Sequence, residues 1–559
     1  MRKASGRRHR LRVPMRRGAV GLALLLGAVP TPLAAQQPHR THGAHGSATE
    51  GVPLYDYLGD FHYRISTQVP RAQAYFNQGL RLTFAFNHAE AIQAFEEAAR
   101  LDPDCAMCYW GIAYALGSNI NLPMPEEAAA PAYAAVQRAV ALARKASESE
   151  RALIQALARR YASDPKADRA ALDSAYAQAM GEVASRWPED ATIATLHADA
   201  LMNLSPWYYF ESANKPRPGT RTILARLEGA LKREPDHPGA CHLYIHAVEQ
   251  YHPQKAVECA ERLAALMPGA GHIVHMPAHI YVRVGRYNDA IEANLHATHV
   301  DEAYIAERRP SSFYIVGYYP HNYHFLSLAA KLAGRSAMAI DAARRAVESV
   351  TLEMAAQYRD VERMLPYVSL TLATFGRWDE VLAQPLPPAN LPLATGLVHY
   401  ARGMAFAAKG DLAAARAALA EVERAGEAGV EPPFGPALDI ARAVLSAEIV
   451  ARQGRTDEAI RRLRVAATIE DGLAYMEPPY WHMPVRHLLG ALLLEAGRPA
   501  EAERVYREDL ERFPENGWSL FGLMKSLEAQ GKKRQAAQVK QRFDAAWAYA
   551  DVKLTASRF

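Results

Sequence analysis

The sequence predicts an all-α solenoid, a superhelix of antiparallel helix pairs, and three observations carry that prediction. Ala, Leu, Arg and Glu dominate the composition, and no stretch alternates apolar and polar residues with the period of two that a half-buried strand needs. At 559 residues the chain exceeds what one hydrophobic core supports, so it must divide into domains or form an array. From Arg71 onward, small residues, aromatics and prolines recur at intervals of about 34 residues, the period of a helical repeat.

The first residues read as a targeting signal. Basic side chains crowd Arg2 to Arg17, an apolar run follows from Gly18 to Val29, and Leu33-Ala34-Ala35 offers a small-residue cleavage site. That run is short for a bilayer span and no second one is long enough, so residues 1–35 are a signal peptide for general secretion. The mature protein is expected to be periplasmic or secreted, with no membrane span. Eight of the 64 Lys and Arg precede Gln36 and none of the 60 Asp and Glu does. The remainder therefore carries 56 basic against 60 acidic side chains, a formal charge of −4, and a nucleic-acid partner loses its main support. Residues 36–70 follow as a flexible linker, polar and bearing His39, His42 and His45. In Cys105-Ala-Met-Cys108 the next residue is Tyr109, where c-type haem attachment needs His. A local disulfide or simple thiols are expected there.

Gly79, Ala91, Phe95, Ala98 and Pro103 take positions 8, 20, 24, 27 and 32 of the repeat. This stretch resembles a tetratricopeptide (TPR) repeat. The resemblance implies paired helices A and B, held close by small residues at 8, 20 and 27 and stopped by the proline. The register returns after Pro268 with Ala278, Gly285, Ala290 and Ala297, and then with Gly334, Ala339 and Ala346. Gly403 and Ala415, Gly454 and Ala459, Gly490 and Ala502, and Gly517 to Gly531 continue it, so the resemblance covers about 71 to 545. The block from Gly239 to Leu326 resembles a His-rich subgroup among secreted bacterial TPR proteins. A proline-rich join at 384–395 divides an N-terminal solenoid, 71–383, from a C-terminal one, 396–559. Three long interruptions, at 117–131, 204–220 and 301–319, break the period, and loops of that length in a compact array are often functional.

Of 21 histidines, 11 lie between His237 and His324, where uniform placement predicts roughly three. Their phase is the sharper signal. His242 and His246 take positions 5 and 9 of one helix A, His272, His275 and His279 take 2, 5 and 9 of the next, and His321 and His324 take 2 and 5 of a third. Those positions span an arc of about 60°, which in proteins resembling TPRs lines the concave groove. Seven imidazoles on neighbouring helices point to a metal site holding one or two ions; imidazole suits copper, zinc or iron alike. Glu249, Asp199 and Arg283 are possible additional members, the two carboxylates reading more simply as solvated groove residues. Pro277 falls inside the helix that should carry the central three histidines, so a kink is expected there. His296 and His299 face outward, and His482 and His487 would join only if the superhelix closed on itself. Phe76, Leu80, Trp110 and Tyr114 make the upstream end apolar, suited to an organic ligand or to inter-repeat packing.

Three functions fit: a binding module for a peptide, protein or small molecule with metal in its groove; a metal-dependent enzyme of copper/iron oxidative or zinc hydrolytic type; or periplasmic metal storage and delivery. Whether the chain is catalytic is left open, because no HExxH, GxSxG or phosphate loop is present.

Overall fold

The computed structural model describes residues 51–310, 313–357 and 359–559. The expected signal peptide and the His39–His45 tail lie outside them. Helices follow one another from Pro70–Phe84 to Lys533–Ala546, and among the described residues the named strands are those of one short hairpin, Phe210–Ser212 with Lys215–Pro216, inside the 204–220 interruption. The fold is an all-α, TPR-like solenoid.

The first pair, Pro70–Phe84 and His88–Leu101, shows why the sequence folds this way. Phe95 sits wholly buried between it and the next helix, Ala106–Ala115. A Cβ on Gly79 would lie 2.6 Å from the Phe95 ring, and one on Gly111 2.4 Å from it, so only glycine admits the ring on both sides. Cys105 and Cys108 form a disulfide across the N-terminus of that third helix. Cys241 and Cys259 are buried thiols in contact, Sγ to Sγ 2.8 Å, and no cysteine reaches the histidines. Phe76, Leu80, Trp110 and Tyr114 are all buried, which makes them packing residues between repeats.

Two boundaries differ from expectation. Residues 51–69 form no helix but are packed: Tyr55, Leu58 and Ile65 are buried, the Tyr55 amide donates to Gln78 Oε1 at 2.7 Å, and Tyr57 O accepts from the Gly269 amide at 2.9 Å. Phe61 and Tyr63 pack against the same core between them, so apolar side chains two or three residues apart tie this strap down. Asp301 does not open a loop, since the helix Tyr287–Arg308 runs through it. It is fully buried and accepts hydrogen bonds from Tyr314 and Asn322.

The helices on either side of the proline-rich join, Trp378–Ala383 and Pro392–Ala408, pack on each other. The C-terminal repeats then fold back on the N-terminal ones. Trp518 Nε1 donates to Lys331 O at 2.9 Å and Tyr287 OH to Pro514 O at 2.7 Å. The Asp551 carboxylate accepts the Ser336 and Ala337 amides at the N-terminus of the helix Ser336–Glu348. Among the described residues no helix is long and apolar enough to cross a membrane.

Lys331 sits in this closure. Fully buried, it donates to His482 O at 3.0 Å and lies over the Tyr367 ring, and burial pushes its ammonium down to about 7. Between about 7 and the ordinary 10.5 the unfolded chain keeps a proton that the folded chain has shed, so this residue makes stability rise with pH across that window. We expect the stability difference between wild type and Lys331→Met to move in favour of wild type by up to about 1.4 kcal/mol per pH unit there. Denaturant melts at a series of pH values test this; a difference that does not vary with pH contradicts it.

Candidate metal centre

Two helices and a break in a third bring the histidines together. The helix Pro238–Val248 carries His242 and His246, with Glu249 as its C-cap residue. Pro277 splits the next helix A into Gly271–His275 and Pro277–Val284, as its missing N–H requires. Met276 between them keeps helical dihedrals, φ −52° and ψ −35°, so His272, His275 and His279 stay on one face despite the break. The helix Tyr318–Leu332 adds His321 and His324.

Six of these seven form two triplets. His242, His246 and His272 bring one ring nitrogen each to within 4.8 Å of one another, and His275, His279 and His321 do the same. All are buried except His321, which is half-buried. Within the triplets, His242 Nε2 lies 3.1 Å from His246 Nε2, and His279 Nε2 lies 2.9 Å from His275 Nε2. Nitrogens bound to one ion at about 2.0–2.1 Å sit only slightly farther apart than that.

The partners of the opposite ring nitrogens set the tautomers. His242 Nδ1 is 2.6 Å from Phe84 O, which can only accept, so Nδ1 carries the hydrogen and Nε2 is bare. The Asn294 amide donates to Ala290 O, which turns its oxygen to His275 Nδ1 at 2.7 Å and bares His275 Nε2 in the same way. Glu249 serves two rings at once, Oε1 3.1 Å from His246 Nδ1 and Oε2 2.5 Å from His279 Nδ1. As a carboxylate it accepts from both and bares both Nε2 atoms. Lone pair then faces lone pair in each triplet, an arrangement that a cation between the rings would relieve. A proton on Glu249 reverses only one of the two rings, so one pair stays unreconciled. The rings do not supply the cation themselves, since burial pushes His246 down to about 3 and His275 to about 4. In addition, neither nitrogen of buried His272 has a hydrogen-bond partner.

A third grouping, His246, Glu249 and His279, would use the Glu249 carboxylate itself as a ligand through the Nδ1 side. It competes with the two triplets for the same rings.

The other expected members divide. His324 faces the same cavity but joins neither triplet, its ring standing 4.1 Å from that of Tyr367. Glu249 is not solvated but fully buried, and burial pushes its carboxyl well above the usual range. Asp199 is also buried rather than solvated, and it lies apart, accepting from Tyr114 OH at 2.9 Å and Asn203 Nδ2 at 3.0 Å. Neither was expected inside, because a carboxylate at a groove position reads as polar surface until its neighbours are known. Arg283 holds the backbone oxygens of Glu249, Gln250 and Arg512, with Glu477 Oε1 4.0 Å away. His296 and His299 are exposed. The superhelix closes, yet His482 and His487 stay outside the triplets; His487 binds Asp509 at 3.0 Å.

The closure brings different residues. Tyr475, Met476 and Glu477, from the C-terminal half, wall a cavity shared with His246, His272, His279, His321 and His324. Glu477 is buried with Oε2 3.9 Å from His279 Nδ1, Oε1 accepts from Tyr475 OH, and burial pushes its carboxyl up to about 8. All three long interruptions contribute: Asn121 from the first, Trp207 from the second, and Phe313, Val316 and Tyr318 from the third. Phe86 and Trp207 touch His246 with ring centroids at 6.2 and 4.9 Å, and both have positive φ, 56° and 65°. That region is strained for bulky side chains and is held here beside the histidines.

Gly271 permits the approach that seats the central helix. The Tyr314 hydroxyl accepts the His272 amide at 3.1 Å and donates to Asp301 at 2.6 Å. A Cβ on Gly271 would lie 1.8 Å from Asp301 Oδ1. Gly271→Ala should therefore cost roughly 1–3 kcal/mol of folding stability, read by denaturant unfolding. An unchanged midpoint contradicts this close approach.

Comparison with known proteins identifies one repeat and stops there. Residues 72–105 match the family model described as tetratricopeptide repeat. Among solved structures, the chain is similar to the APC/C hetero-tetramer Cut9–Hcn1, at 12% identity over 84% of this chain and 76% of that one, with a TM-score of 0.30. It is also similar to yeast Tom70, at 11% identity over 85% and 93% with a TM-score of 0.26. A human IFIT1 dimer with m7Gppp-AAAA gives 12% over 89% and 92%, with a TM-score of 0.30. Scores this low carry no argument. No curated protein matches the chain.

Proposed function

We propose that this chain is an exported TPR-like scaffold that holds two transition-metal ions in paired three-histidine sites, facing a cavity for a small organic or peptide ligand. The observation that carries the reading is the two Nε2-to-Nε2 contacts, 3.1 and 2.9 Å, between rings whose other nitrogens are engaged. Buried lone pairs held that close are unfavourable unless a cation lies between them. Glu249 then acts through the rings, orienting His246 toward one ion and His279 toward the other, as carboxylate partners of metal-bound histidines do. Export is supported by the basic and apolar N-terminal pattern and by the Cys105–Cys108 disulfide.

The enzyme reading is favoured by one further observation. Each triplet offers three protein donors and opens on the cavity, and an open coordination position is what separates catalytic from structural sites.

Elemental analysis of the purified full chain should find two transition-metal ions per chain. His321→Ala, a change at the least buried ligand, should leave one. Glu249→Gln should retain both ions but weaken binding about 10–100-fold, because the two rings face different atoms of the group and in an amide one of those is an NH2 donor that cannot accept from Nδ1–H. Metal-free protein after loading, with His321→Ala indistinguishable from wild type, contradicts the reading. Complete loss of metal in Glu249→Gln, with His321→Ala unaffected, would instead assign the ion to the His246, Glu249 and His279 grouping.

A further inference from the structure

We propose that Cys241 and Cys259 are a disulfide-forming pair, closing a second covalent bridge in the exported chain. The proposal draws on the export part of the reading above, which supplies an oxidising setting, and it needs no metal.

The geometry of the two sulfurs carries it. Cys241 is on the helix Pro238–Val248 and Cys259 on the helix Val257–Leu266, and the two helices pack on each other. Their sulfurs lie 2.8 Å apart. Unbonded carbon atoms attract best at about 3.5–4.0 Å and sulfur is the larger atom, so this separation is already inside ordinary contact. A disulfide bond is about 2.0 Å long, so the sulfurs have only about 0.8 Å left to close. Other uses of the pair are poorly served. The Pro235 carbonyl stands 3.8 Å from Cys241 Sγ, a weak contact, and among the described residues neither cysteine joins a histidine grouping. The chain also carries a bridge elsewhere, Cys105 to Cys108, so pairing Cys241 with Cys259 accounts for all four cysteines.

The oxidant is a disulfide, either a small molecule or a protein. One cysteine sulfur bonds to a sulfur of the oxidant, which breaks the oxidant's S–S bond and releases one thiol. The second cysteine sulfur then bonds to the first, which breaks the mixed disulfide and releases the other thiol. The pair gives up two electrons and two protons, and the oxidant carries them away as its two thiols. Cys241 is wholly buried and Cys259 is 5% exposed, so an oxidant reaches them while the helix pair is forming and not in the finished fold. The bridge joins residues 18 apart, and the loop it closes contains His242, His246 and Glu249. Closing a loop of that length lowers the unfolding equilibrium constant by on the order of 100-fold.

The test uses the full chain with its own N-terminus, produced in a bacterial host and recovered from outside the cytoplasm without reductant. It is unfolded in denaturant with an alkylating reagent, digested and mapped by mass spectrometry. The expected result is no alkylated cysteine and a linked peptide pair containing Cys241 and Cys259. Alkylated Cys241 and Cys259 beside a bridged Cys105–Cys108 overturns the inference and leaves the export reading standing. Recovery from the cytoplasm alone contradicts export. The pair is then decided by refolding the reduced chain in a glutathione redox buffer, where the same labelling pattern overturns it and a Cys241–Cys259 linkage supports it. A second readout is stability. On adding reductant, wild type should lose on the order of 100-fold more in its folding equilibrium constant than the double variant Cys241→Ala with Cys259→Ala, which has only Cys105–Cys108 to reduce. Equal losses contradict the bridge.

Discussion

Glu249 is the constraint on which the site depends. One carboxyl, wholly buried, contacts Nδ1 of His246 from its own helix end and Nδ1 of His279 from the next helix A. It thereby decides which nitrogen each ring presents, and it couples the orientation of the two triplets. Its own position is secured by Arg283, which binds the Glu249 and Gln250 carbonyls and ties them to Arg512 in the C-terminal half. An unpaired polar group at such depth costs about 1–3 kcal/mol. A carboxyl kept between two imidazoles is therefore a specification of geometry more than a source of stability.

Closure of the superhelix gives that geometry an enclosure. An open TPR-like groove would leave the histidines to water. Here the C-terminal repeats return, Trp518 and Pro514 contact Lys331 and Tyr287, and the Tyr475–Glu477 segment walls the cavity. The three long interruptions fill the remaining sides with Asn121, Trp207 and the Phe313–Tyr318 stretch. The regular repeats supply the frame and the irregular segments supply the lining, the division of labour expected when a rigid scaffold positions functional loops.

Much of this was legible in the sequence, and what was not has a physical reason. Position 5 and 9 phasing located His242, His246, His275 and His279 because local helical geometry alone sets the face a residue takes. The Pro277 kink was readable too, but its harmlessness was not, since that depends on Met276 keeping helical dihedrals. Glu249 and Asp199 read as solvated because burial is a property of the whole array. Glu477 and Tyr475 left no local mark, since they arrive through contacts nearly 200 residues away in sequence from His279. Asn294 sits on a helix B and matters only as the partner of His275 Nδ1, a role with no spacing signature. The packed strap at 51–69 was missed because it follows the polar, glycine-bearing stretch Gln36–Ser47 and shows no helical period, while its three buried side chains are held by contacts with the repeats.

The central claim is that two separate triplets, and not one site built on Glu249, hold the metal. The most direct measurement is an anomalous difference map, collected at the absorption edge of the bound metal, from crystals of the loaded protein. The account predicts two peaks, one among His242, His246 and His272 and the other among His275, His279 and His321, both on the Nε2 side of His246 and His279. A single peak on the Nδ1 side, bonded to Glu249, would contradict it.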